Sequence, residues 1–169
     1  RDSNKIADTV AKTDWTAGNQ RGGYIWHTTG SGKTMSSFKS AQLISRRKDA
    51  DKVIFLLDRI ELGKQSLEEY QNFADSKDDV QATENTAILL AKLKSKQDRD
   101  RLIVTSIQKM NNIKAEEGVN EADIEQISGK HLVFIIDEAH RTTFGDMLLT
   151  IKHTFPNALF FGFTGTPIE

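Results

Sequence analysis

At 169 residues, with 37% hydrophobic and 28% charged side chains, the chain has the length of one domain and enough apolar mass for a core, which excludes a disordered polymer. No apolar run reaches the roughly eighteen residues of a membrane span, and the absence of cysteine excludes disulfides and cysteine-ligated metal or redox centres, in keeping with a cytoplasmic setting. A net charge of −1 gives no global field for recruiting nucleic acid, so any DNA contact has to be local.

Arg1 is not an initiator and no signal peptide opens the chain, so the segment is expected to start inside a longer protein. Residues 1–22 are polar and weakly patterned and read as a truncated lead-in, in which Ile6, Val10 and Trp15 could form one stripe of a short helix. The first strand is expected over 23–28. From Gly32 to Arg47 the apolar positions Met35, Phe38, Ala41 and Ile44 recur near helical period. The run Val53-Ile54-Phe55-Leu56-Leu57 has the continuous apolar character of a strand buried on both faces, ended by Asp58-Arg59. A helix over 60–73 follows, with Leu62, Leu67, Tyr70 and Phe73 on its inner face.

Residues 74–100 are rich in charge, the pattern of a solvated face, and carry a helix over 86–96 through Ile88, Leu89, Ala91 and Leu93. Leu102-Ile103-Val104 is the next buried strand, and Thr105 to Met110 looks like a turn entering a helix. Gly118 and Gly129 break a polar stretch in which Ile124 and Ile127 mark one short helix. The most apolar strand, 131–136, runs straight into Asp137-Glu138-Ala139-His140. A helix over 144–153 (Phe144, Met147, Leu148, Ile151) and a last strand over 159–163 lead to Thr164-Gly165-Thr166-Pro167. Apolar strands alternating with helices predict an α/β domain, a mainly parallel sheet of at least five strands between two helical layers. In such sheets ligands sit beyond the carboxyl ends of the strands, where every motif of this chain lies.

Two of those motifs carry chemistry. The segment Tyr24 to Thr34, Y-I-W-H-T-T-G-S-G-K-T, reads as strand, glycine loop and helix N-terminus. Converging backbone N–H groups and the positive end of the helix dipole make that arrangement an anion trap. In it Thr28, Thr29, Gly30, Ser31 and Gly32 would cradle phosphates, Lys33 would reach the outer ones and Thr34 would place a hydroxyl on Mg²⁺. The general formula wants glycine where this chain has His27, and a flexible hairpin or helix cap is the plainer alternative. Asp137, emerging from a buried strand, could hold the water shell of the same Mg²⁺, and Glu138 could accept a proton from attacking water. An Asp-Glu pair can also simply cap a helix. No His/Asp/Glu spacing suits zinc and no Ser-His-Asp order stands out. His131 and His153 read as ordinary surface positions, and His140 as either that or a link from the nucleotide site to a neighbouring element.

The loop at 27–34, Asp-Glu-Ala-His at 137–140 and Thr-Gly-Thr-Pro at 164–167 resemble motifs I, II and III of superfamily-two helicases and translocases. More narrowly, W-H-T-T-G-S-G-K-T, V-I-F-L-L-D-R, T-S-I-Q-K-M, F-I-I-D-E-A-H-R and F-F-G-F-T-G-T-P-I are similar to the motor subunit of type I restriction enzymes, over nearly all of 23–168. His27 is what that subfamily's loop usually carries. The resemblance implies a P-loop, RecA-like motor lobe over 23–169 that binds ATP and Mg²⁺ through Lys33, Thr34 and Asp137, with Glu138 activating water. It further implies that Thr164 and Thr166, with His140, couple the ATP site to double-stranded DNA. Asp58, Arg59, Thr105 and Gln108 fall where the family carries its DNA-backbone motifs, although loop and helix-cap roles would also suit them.

By the same resemblance the partners are a second RecA-like lobe that supplies an arginine, an upstream nuclease domain, and the methyltransferase and specificity subunits of a restriction-modification complex. The expected activity is ATP-driven translocation of duplex DNA before cleavage elsewhere. Another superfamily-two helicase or translocase remains open, as does a nucleotide-binding module that is inactive alone. A phosphoryl-transfer kinase shares the loop but needs neither Asp-Glu-Ala-His nor Thr-Gly-Thr-Pro.

Overall fold

Each long apolar run of the sequence becomes a strand of one parallel sheet, because a strand with apolar side chains on both sides is buried only between two layers of helices. The computed structural model describes residues 2–12, 15, 24–26, 30–57, 81–82, 86–115, 118–137 and 142–164, with the backbone alone at 2–5, 24–26, 30–36, 81–82, 115, 137, 142–144 and 163–164. The strands are β1 (Tyr24–Trp26), β2 (Lys52–Leu57), β3 (Gln81–Ala82), β4 (Leu102–Ser106), β5 (Leu132–Asp137) and β6 (Leu159–Thr164). Their order across the sheet is β1-β6-β5-β2-β4-β3, and every pairing is parallel. The middle of the sheet, β6-β5-β2-β4, is built from strands of five or six residues, whereas the flanking β1 and β3 have three and two.

The helices are α1 (Asp2–Ala11), α2 (Gly30–Arg47), α3 (Thr86–Lys94), α4 (Ile107–Asn111), α5 (Glu121–Ser128) and α6 (Thr142–Thr154). Alternation along the strands divides the interior in two. Val53, Phe55, Leu57, Val104, Val133, Ile135 and Phe161 pack with Ile6, Val10, Phe38, Ala41 and Ile44 of α1 and α2. Ile54, Leu56, Ile103, Phe134, Ile136 and Phe160 pack with Leu89, Leu93, Met110, Ile127, Leu148 and Ile151 of the other helices. Each of the fully buried Val, Leu, Ile, Phe and Met side chains contributes about 1.5–3 kcal/mol. In the second core Phe134 stacks on Phe160 at 4.8 Å; in the first, Phe38 meets Phe55 edge-on at 5.9 Å.

Local signals place the helix ends. Asn120 and Asp123 form a reciprocal capping box at α5 (2.9 and 3.5 Å), worth about 1 kcal/mol, and Gly129 closes the same helix. Ser106 Oγ accepts the Lys109 N–H at 3.2 Å and so caps α4.

Two particulars differ from the sequence expectations. β4 runs on through Thr105 and Ser106, which pair with Leu56 and Leu57, so the expected turn there is strand; β-branched Thr105 suits the pleat, and Ser106 serves as both strand end and helix cap. Helix α2 begins at Gly30, two residues ahead of the expected start at Gly32. The polar lead-in holds α1, whose Ile6, Ala7 and Val10 belong to the same core as α2, while Trp15 stacks on His131 at 4.5 Å. On α3, Ile88 stays exposed and only Leu89 and Leu93 are buried. The helix expected over 60–73 lies outside the described residues.

Past the end of α2, Lys48 adopts φ 60, the left-handed conformation that helix ends favour and that glycine takes without steric cost. Its ammonium meets Asp98 at 3.4 Å with both side chains exposed, a pairing of little worth. Lys48→Gly is therefore expected to raise stability by about 0.5–1 kcal/mol, seen as a higher midpoint in urea unfolding.

Candidate functional site

In a parallel sheet all strands end on the same edge, and here that edge gathers the sequence motifs. β1 ends at Trp26 and α2 starts at Gly30, so residues 27–29 alone link strand to helix and the helix N-terminus is held over the edge. A helix leaves its first four N–H groups without intrahelical partners. In α2 those belong to Gly30, Ser31, Gly32 and Lys33, and no acidic residue lies in the first turn to complement the dipole. The turn is thus suited to an anion supplied from outside. The opposite end of α2 carries Arg46 and Arg47, the favourable sign for a C-terminus.

Next to β1 lies β6, ending at Thr164 opposite Trp26. Next again is β5, whose last residue, Asp137, pairs with Phe163, itself level with Ile25 of β1. Strand spacing of about 4.8 Å puts the backbones of β1 and β5 roughly 10 Å apart at this level. Asp137 is next in the odd-numbered series of β5 after Val133 and Ile135, the series on the α2 face. Backbone placement therefore brings the start of α2, with Lys33 and Thr34, to the same edge as Asp137, although about a hundred positions separate them in the chain. Thr28, Thr29, Glu138, His140, Thr166, Asp58 and Arg59 lie outside the described residues.

The edge continues past β5 to β2, after which Asp58 and Arg59 follow, and then to β4, which runs directly into α4. Gln108 is partly buried on the first turn of α4, and Thr105 is fully buried in β4. A side chain without exposed surface meets the interior, not a phosphate backbone. Among the described residues no group of three or more His, Asp or Glu side chains could hold a metal ion.

Sequence reasoning missed the opposite edge. Lys52, the first residue of β2, is only 2% exposed, and its Nζ donates to the Asp100 carbonyl at 2.8 Å. Arg101, just before β4, donates to the Ala50 carbonyl at 2.7 Å. Lys130, just before β5, donates to the carbonyls of Leu93, Lys94 and Ser95 at the end of α3. The signal was a single basic residue directly ahead of apolar runs, a position that reads as ordinary strand punctuation.

A sequence model described as SWI2/SNF2 ATPase matches residues 3–169, almost the whole chain, lead-in helix included. The chain belongs to the SWI2/SNF2 ATPase family. Curated relatives of this ATPase domain include the endonuclease subunits of type I restriction enzymes from Staphylococcus saprophyticus and Staphylococcus aureus strain COL, each 52% identical over 145 residues. Those matches take in 86% of this chain and 15% of each relative, so the domain spans under a sixth of their length. A putative type I restriction enzyme endonuclease subunit, C-terminal part, of Mycoplasma pneumoniae is 41% identical over 135 residues, 80% of this chain and 64% of its own.

Among solved structures, a nuclease-deletion mutant of the type ISP restriction-modification enzyme LlaGI, in complex with a DNA substrate mimic, aligns with TM-score 0.58 and 21% identity over 99% of this chain and 17% of its own. The helicase domain of Pyrococcus furiosus Hef aligns with TM-score 0.55 and 21% identity, over 99% of this chain and 32% of its own. Both likenesses concern the fold alone, an α/β fold that a helicase domain shares. No described helix of the SWI2/SNF2 domain is long and apolar enough to cross a membrane.

The burial of Thr105 makes a prediction that separates packing from contact. Thr105→Val removes a buried hydroxyl and should lower stability by about 1–2 kcal/mol in urea unfolding. Any affinity for duplex DNA in the full-length subunit, measured by fluorescence anisotropy, should stay within about twofold, equivalent to roughly 0.4 kcal/mol.

Proposed function

We propose that this domain is the first RecA-like lobe of the ATP-driven motor in a type I restriction endonuclease subunit, and that it uses ATP hydrolysis to translocate double-stranded DNA before a separate nuclease domain cuts. The observation that carries this reading is the order along the carboxyl edge. The ends of β1, β6 and β5 lie side by side, each running into one of the three motifs. Relatedness to type I restriction endonuclease subunits at 52% identity supports the choice among motors that share those motifs.

In this reading the free N–H groups at the start of α2 and the Lys33 ammonium bind the phosphates of ATP, with Thr28 and Thr29 shaping the loop ahead of them. Mg²⁺, which Thr34 and Asp137 would hold, neutralises charge on the phosphate oxygens when bound. The acid-free first turn of α2 and the position of Asp137 two strands away suit such a group. Glu138 takes a proton from water as its oxygen attacks the γ-phosphorus; the bond to the β,γ-bridging oxygen breaks and leaves ADP and inorganic phosphate. An arginine from a second RecA-like lobe stabilises the charge on the transferred group, a contribution of about 10³–10⁵ in rate. His140, Thr164 and Thr166, at the ends of β5 and β6, link the state of the phosphate to contacts on DNA. Asp58, Arg59 and Gln108 extend the edge toward the DNA backbone. The specificity subunit supplies recognition of the DNA site, and the methyltransferase subunit is a further partner in the complex.

The decisive measurement is DNA-stimulated ATPase in the full-length subunit. Lys33→Ala should reduce it by at least about 10³-fold, a loss of some 4 kcal/mol from the transition state, and unchanged turnover overturns the motor reading. Glu138→Gln should stop hydrolysis to a similar degree yet keep nucleotide affinity within a few-fold of the parent; loss of binding in this variant means that the residue is structural.

A further inference from the structure

Between α1 and β1 the chain lays the indole of Trp15 flat on the imidazole of His131, with ring centroids 4.5 Å apart and planes 3° from parallel. Trp15 is partly buried against the first core, whereas His131, just ahead of β5, is exposed. The backbone under the imidazole is fixed. Its N–H donates to the Asp51 carboxylate at 2.7 Å, and its carbonyl accepts the N–H groups of Asp51 and Lys52 at 2.8 and 3.2 Å. The stack therefore ties the lead-in to the amino edge of the sheet, on the far side from the motifs. Any flat apolar neighbour would cover the indole equally well. An imidazole adds a property that such a neighbour lacks, because its charge changes between about pH 5 and 8. The indole face is electronegative, so a neutral ring is held by stacking alone and an imidazolium by a cation–π attraction as well.

We propose that Trp15 and His131 form a proton-operated latch, which holds the segment between α1 and β1 to the sheet more tightly when the imidazole is charged. The charges around the stack permit this. At the start of β2, the Asp51 carboxylate lies against the His131 backbone and favours a cation there. The flanking cations turn their ammonium groups to other partners: Lys52 donates to the Asp100 carbonyl, and Lys130 to three carbonyls at the end of α3. On the lead-in, Asp8 is paired with Arg47 of α2 at 2.8 Å, and Lys12 follows the end of α1. The cation–π part of the hold is present in acid. It is lost as the pH rises through the range in which an imidazole gives up its proton. An exposed contact of this kind shifts the balance between latched and open states by about two- to fivefold.

Hydrogen exchange of the full-length subunit, followed by mass spectrometry and corrected for the intrinsic effect of pH on exchange, reads the latch through peptides spanning residues 12–24. Their protection should rise about two- to fivefold between about pH 8 and pH 5.5, a change not shared by peptides of β2 and β5. His131→Gln keeps the backbone N–H that meets Asp51 and removes the titrating charge, so the rise should vanish. Trp15→Leu keeps an apolar side chain against the core and removes the ring, and the rise should vanish there too. His131→Arg sets a permanent, planar cation on the indole and should keep the high protection at both pH values. Equal protection at the two pH values in the parent overturns the proposal. So does a rise that persists in His131→Gln or Trp15→Leu, or low protection at both values in His131→Arg.

Discussion

The parallel pairing of the strands is the constraint on which everything else depends. Because neighbouring strands point the same way, each must be reached by a crossover through a helical layer, and each must deliver its last residue to one shared edge. Burial enforces the pairing: Val53 to Leu57 and Leu132 to Ile136 have no exposed side, so these strands are stable only where helices cover both faces. The same hydrophobic effect that builds the core therefore also assembles the edge. The strand ends at Trp26, Thr164, Asp137 and Leu57 reach that edge together without any direct interaction needing to bring them there.

The division of the interior into two cores gives each face a different task. The α1/α2 face carries the helix whose N-terminus sits over the edge, and Phe38, Ala41 and Ile44 fix the rotation and height of that helix on β2, β5 and β6. The other face, with its shorter helices, holds β4 and its tight junction into α4. A displacement of α2 along its axis would have to carry Phe38 past Phe55, which it meets edge-on. That interlock leaves little play in the turn that faces the edge.

Much of this was legible in the sequence, for a physical reason. Strands buried on both faces are apolar along most of their length, so β2 and β5 announce themselves, and the residues just after them stand out as polar. The three-residue period of α2 is an equally local signal. The edge that the motifs share follows from those local readings plus the rule that alternating strands and helices make parallel sheets. What could not be read depended on tertiary contacts. The stripe of Ile6 and Val10 marks a short helix at α1, but that this stripe packs on α2 in the same core is a tertiary fact. Thr105 and Ser106 resemble a turn until their pairing with Leu56 and Leu57 is known. Lys52 reads as the solvated residue before a strand, and only the distant Asp100 carbonyl makes its burial tolerable.

The ties between Lys52 and the Asp100 carbonyl, Arg101 and the Ala50 carbonyl, and Asp51 and the His131 N–H cross-link the starts of β2, β4 and β5 over sequence separations of 48, 51 and 80 residues. They act as lashings between the beginnings of three neighbouring strands, β5, β2 and β4. The margin away from the motifs is thus held by side-chain bonds as well as by the backbone ladder.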